Sequence, residues 1–310
     1  MALATFLLWG CGSGNTQQDR QSSSPKIPGL RLQQPVPSPA PEIEALATST
    51  AMTSEGRTIF FASEPQLRAR AGFTLSCPIE EKKQILGCYT NGKIFILQVD
   101  RPELSTVMEV TAAHEMLHAV YDRLPGRERR RIDELTASFY AASKDPELKE
   151  IVERYPASDR TNELHSLLGT QVAELSSELE KHYRQFFSDR SRVVAAHAQS
   201  DQVFDQIEAR HAQLLAEIDS ISGQIDELVP QQEAAVSEAK RLSAEIEALR
   251  AQERIQESNR LVPQQNAATD LATTLQARIV LLTNDHNRRV REINDLVFRQ
   301  DQLVRSLGAG

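Results

Sequence analysis

The sequence predicts an α+β fold that is mostly α. A small domain, built from a β-hairpin and several helices, is followed by a long antiparallel coiled-coil hairpin. Three observations lead there. Asn91-Gly92 stands between two strand-like runs. From Phe204 onward the apolar residues recur in steps of three and four. Aromatic residues make up only 5% of the 310-residue chain, which suits helices better than a β-sandwich.

The elements can be taken in chain order. Met1 to Gly10 is apolar and ends at Cys11. It is too short to span a bilayer, which takes about 20 residues, and it has the size of a signal-peptide apolar region. Leu8-Trp9-Gly10-Cys11 resembles the bacterial lipobox, which implies cleavage before Cys11 and lipidation of that residue. Trp9 is bulky for its place, and no Lys or Arg precedes the apolar run. Residues 12–45 are rich in Ser, Gln and Pro, with Pro35, Pro37, Pro39 and Pro41 closely spaced. Such a segment buries too little apolar surface to offset its ordering entropy and reads as a disordered tether. Of the three cysteines, Cys77 and Cys88 remain as a pair if Cys11 carries lipid. An extracytoplasmic site would let them oxidise; two unrelated buried thiols are the alternative.

Residues 46–190 form the first domain in this reading. Thr58 to Phe61 is expected as a strand, Ser63 as the cap of a short helix through Arg70, and Phe73 to Leu75 as a strand. The runs Gln84–Thr90 and Lys93–Val99 flank Asn91-Gly92, a turn pair that tolerates positive φ and marks a hairpin. A helix starts near Pro102 and stops at Pro125-Gly126. Further helices are expected over about 128–143, from Asp145-Pro146 to Tyr155, and from Asp159 or Thr161 past Leu179. The last domain, 191–310, carries two seams. One runs from Phe204 to Leu249, with Pro230 as a kink. The other includes Leu271, Leu275, Ile279, Leu282, His286, Val290, Ile293 and Val297, after a break at Asn259–Pro263. His211 and His286 read as polar seam residues. Such a hairpin could serve a protein partner or self-association.

The chemistry concentrates in His114-Glu115-Met116-Leu117-His118. Histidines four apart project from one helix face and can share a tetrahedral Zn2+, with Glu115 beside them as base toward activated water. That points to hydrolysis of a peptide or protein substrate. A third ligand is needed, and Glu134, Glu163 and His165 are the candidates. On the helical wheel Glu134 faces solvent, while the wheel does not decide between Glu163 and His165.

His114, Glu115 and His118, with Asn162-Glu163-Leu164-His165 downstream, resemble the gluzincin group of zinc metallopeptidases over about residues 57–190. The resemblance implies a zincin-like fold and Glu163 as the third ligand. It also implies substrate binding along an upstream strand, placed at Lys93–Val99, and an oxyanion stabiliser at His165 or Tyr155. The net charge of −8 argues against nucleic acid. The one basic run, Arg127 to Arg131, is interrupted by Glu128. The whole reads as a membrane-tethered metallopeptidase outside the cytoplasm, anchored in a bacterial cell envelope. The alternatives are a non-catalytic coiled-coil envelope lipoprotein with a degenerate peptidase domain, and a purely structural zinc.

Overall fold

The computed structural model describes residues 39–77 and 85–308. Cys11, the lipobox and most of the expected tether lie outside the described residues. The element order is α1 (Pro41–Ser49), α2 (Ser54–Ala62), β1 (Gln66–Arg68), α3 (Arg70–Ser76), β2 (Gly87–Thr90) and β3 (Lys93–Leu97). Then follow α4 (Ser105–Arg123), α5 (Gly126–Ala142), α6 (Pro146–Glu153), α7 (Arg160–Thr170), α8 (Ser177–Tyr183), α9 (Ser191–Ala251) and α10 (Ile255–Ser306). Among the described residues, no helix is long and apolar enough to cross a membrane.

The chain divides into two compact units: residues up to 204 together with those from 302, and residues 205–301. The first turns of α9 therefore belong with the mixed unit rather than with the expected 191–310 domain. Helix α1 begins inside the expected tether, and it buries Ile43 and Leu46. Proline at its first position is favourable because no backbone N–H is needed there.

In the mixed unit the hairpin forms as the Asn-Gly pair dictates, with φ of 52° at Asn91 and 77° at Gly92. Strands β2 and β3 pair antiparallel, Gly87 opposite Ile96 and Thr90 opposite Lys93. The short strand β1 adds to β3 in parallel, giving the order β1-β3-β2. Helix α4 crosses this sheet, and from Val110 to Val120 every one of its residues is buried. A helix buried all round is enclosed by other elements. Here these include the sheet, α1, α2 and α7. Close approach of α7 depends on Gly169, where a side chain would collide with Leu117 and Tyr183.

Four expectations need correction. Thr58–Phe61 lies within α2, because the Thr53 side chain caps that helix by accepting from Gly56 N at 3.1 Å. Burial at Gly56 and Phe60 then follows helical spacing, which outweighs the local β preference of the run. Ser63 closes α2 instead of opening a helix, and β1 occupies part of the expected helix. Phe73–Leu75 belongs to α3: Phe73 is buried while Leu75 is exposed. The expected long helix past Leu179 is two helices. Arg190 explains the break, because its guanidinium donates to the carbonyls of Leu168, Val172 and Ala173 at 3.3, 2.6 and 2.9 Å. Ser176 then caps α8.

In the second unit α9 and α10 run antiparallel. Arg210 pairs with Glu292 at 2.6 Å and Arg289 with Glu217 at 2.5 Å, so residues early in α9 face residues late in α10. Pro230 sits inside α9 without ending it. The turn falls at 252–254, not at Asn259–Pro263, and Pro263 is carried inside α10. The helix end is a Schellman closure: Arg254 N donates to Leu249 O at 2.9 Å, with Glu253 left-handed at φ 62°. The α10 seam follows the expected register in its middle, where Leu275, Ile279, His286 and Ile293 are half-buried, and departs from it elsewhere. Ala272 and Leu282 are buried, whereas Leu271, Val290 and Val297 are exposed.

Candidate metal centre

Helix α4 presents His114 and His118 one turn apart on the side that meets α7, and α7 presents Glu163 to them. His114 Nε2 lies 3.5 Å from Glu163 Oε2, and His118 Nε2 lies 3.5 Å from Glu163 Oε1. All three are buried, and one ligand atom from each lies within 4.8 Å of the other two. The edge of a tetrahedron whose centre is about 2.1 Å from each ligand is about 3.4 Å, so the spacing suits one small cation. Among the described residues, neither ring nitrogen of His114, nor Nε2 of His118, has a hydrogen-bond partner. Buried imidazole nitrogens left bare cost free energy, and a cation between them removes that cost. This His-His-Glu group could hold a metal ion.

Electrostatics favour the form that ligates. Burial pushes the pKa of His114 down to about 3. Burial also lowers that of His118, although Glu163 draws it back up and His114 lowers it further. Both rings are therefore neutral at pH 7, as metal ligands must be. His118 Nδ1 donates to the amide oxygen of Asn162 at 3.0 Å, which leaves the Nε2 lone pair directed at the site. Sequence reasoning missed this role for Asn162. Its position next to Glu163 is the one signal that could have suggested it.

The other candidates separate cleanly. Glu134 is exposed on α5, as the wheel indicated. His165 is buried but turns to a different partner: its Nε2 lies 2.9 Å from His182 Nε2, and Tyr183 donates to its backbone carbonyl. Burial, then the neighbouring His182, hold its pKa well below the ordinary value. Tyr155 packs in the hydrophobic core. Two further histidines went unremarked in the sequence. His182 closes the pair with His165. His197 on α9 lies 3.3 Å from Asp201, and burial plus the His114 ring hold its pKa at about 4.

Glu115 is fully buried on α4 and lies against Gly87 of β2. Strand β3 is paired on both sides, so the expected Lys93–Val99 strand has no open edge for a further strand. Cys77 and Cys88 stand at disulfide distance, with Cα atoms 6.0 Å apart, which ties the start of β2 to the end of α3. In comparisons with known proteins, no family model, no curated protein and no solved structure matches this chain.

Proposed function

We propose that this chain is a zinc-dependent metallopeptidase with a gluzincin-type ligand set. In this reading it is tethered outside the cytoplasm, to a bacterial cell envelope, by lipid on Cys11. The observation that carries the reading is the convergence of Glu163 on His114 and His118, with Glu115 beside them on α4. His114, His118 and Glu163 would hold the Zn2+, which when bound would supply Lewis acidity and lower the pKa of water at the site. Glu115 takes the proton of the attacking water and returns it to the departing amine. Asn162 holds His118 in the tautomer that ligates. Strand β2, at the outer position of the sheet and against Glu115, supports a peptide substrate lying along it. Because Glu115 is 0% exposed, substrate reaches it only when the segments around it move.

The second reading is a non-catalytic envelope protein whose working part is the coiled-coil hairpin and whose metal is structural. The same burial of Glu115 favours it. Metal analysis of the purified full chain, with a peptide-library cleavage assay, separates the two. The peptidase reading expects about one zinc per chain, lost in Glu163→Ala and kept in Glu115→Gln, with cleavage abolished in both. Full zinc with no cleavage by the unaltered chain would leave the structural reading. Absence of zinc after refilling would sink the peptidase reading and the structural metal, and leave the coiled-coil hairpin as the working part.

A further inference from the structure

We infer that Gly87 of β2 is a positioning residue for Glu115: the missing side chain leaves the space in which the carboxylate sits. A Cβ at residue 87 would lie 2.6 Å from Glu115 Oε1, 2.8 Å from Glu115 Cγ and 2.5 Å from Thr111 Cγ2. All three distances are closer than side-chain carbons approach other atoms. The glycine is not required by its backbone, because its φ lies outside the left-handed region. What it supplies is room, and that room faces the carboxylate assigned as general base. The inference therefore rests on the reading of Glu115 given above.

Three restraints prevent the strand from retreating. Gly87 is in register with Ile96 in the antiparallel ladder, and Leu97 N donates to Leu86 O at 2.8 Å just before it. Cys88, the next residue, is tied to Cys77. On the other side, Thr111 cannot swing its methyl away freely. Its hydroxyl donates to Val107 O at 2.8 Å, and a β-branched side chain on a helix has few χ1 states. With strand and threonine both held, the Glu115 side chain is the group that must move when a methyl is added. Misplacement of a catalytic group by about 1 Å can lower a rate by about 100-fold.

The test uses the full chain and the variants Gly87→Ala, Gly87→Ala with Thr111→Ser, and Gly87→Ala with Glu115→Ala. In zinc-loaded protein, Gly87→Ala is expected to lower kcat by about 10- to 100-fold, at unchanged zinc content and with KM within about threefold. Adding Thr111→Ser removes only the methyl clash and leaves the contacts with Glu115, so it should restore part of the unfolding temperature but not kcat. In metal-free protein, the drop in unfolding temperature caused by Gly87→Ala should shrink by at least half once residue 115 is alanine, since the obstructing side chain is gone. An undiminished drop in that background would overturn the inference, as would recovery of kcat together with stability on adding Thr111→Ser. Either result would make Gly87 an ordinary packing position. If the unaltered chain cleaves no peptide while the stability coupling is present, the general-base reading falls and the placement of Glu115 by Gly87 stands.

Discussion

At the scale of single residues, the weight falls on Asn162 and Glu163, neighbours in sequence with separate duties. Glu163 supplies oxygens to the site, and Asn162 fixes which nitrogen of His118 carries its proton. Loss of such an orienting partner typically weakens metal affinity about 10- to 100-fold. Asn162→Ala should therefore keep the fold and lose zinc to a chromogenic chelator at correspondingly lower chelator strength. Affinity unchanged within a factor of two would refute the orienting role. The histidines of α4 were legible in the sequence because a spacing of four places both on one helix face. The choice between Glu163 and His165 was not. Every residue of α7 from Glu163 to Thr170 is buried, so no single face of that helix marks the site. The deciding contact, His182 against His165, comes from α8 and has no local trace.

At the scale of elements, signals held within a few residues were readable, and those set by distant partners were not. The hairpin followed from Asn91-Gly92, and α6 from Asp145, whose carboxylate accepts from Glu147 N and Leu148 N. By contrast, the break between α7 and α8 depends on Arg190, remote in sequence from the carbonyls it satisfies. Strand β1 exists because β3 offers it an edge. The turn between α9 and α10 was missed for a different reason. A left-handed residue after a helix is usually glycine, and here it is Glu253. A non-glycine residue in that conformation carries a cost of roughly 1 kcal/mol. Glu253→Gly is accordingly expected to stabilise the coiled-coil unit by up to about 1 kcal/mol, less what the more flexible unfolded chain takes back. The midpoint of urea unfolding checks this, and a marked fall in stability would contradict the left-handed assignment.

At the scale of the whole molecule, the buried histidines tie stability to acidity. Burial holds His182 at about 4, with Glu128 raising it and Arg131 lowering it. Burial and the His114 ring hold His197 at about 4 as well. About a unit or more above pH 6.5 neither the folded nor the unfolded state protonates these rings, so they contribute no pH dependence there. As pH falls from about 6.5 toward 4, the unfolded chain takes up protons that the folded chain refuses, and stability declines. For His182 alone the decline is on the order of 3 kcal/mol by pH 4. Urea unfolding of metal-free protein at pH 7.5 and pH 5 should show the loss, and His182→Gln should make it smaller. Equal stability at both pH values would rule out the neutral buried pair.

The seclusion of the His-His-Glu group also governs traffic. Its three side chains are no more than about 2% exposed, so an ion cannot leave by simple dissociation into solvent. Departure waits for the surrounding helices and strand to part, and that opening has its own rate. Removal of zinc by excess chelator should therefore reach a ceiling rate, independent of further chelator, that rises in mild urea. A rate that climbs in proportion to chelator throughout would mean the ion is within reach of solvent at all times. The enclosure would thus make an ion bound there a slow-exchanging part of the molecule, retained over times set by the protein's own breathing.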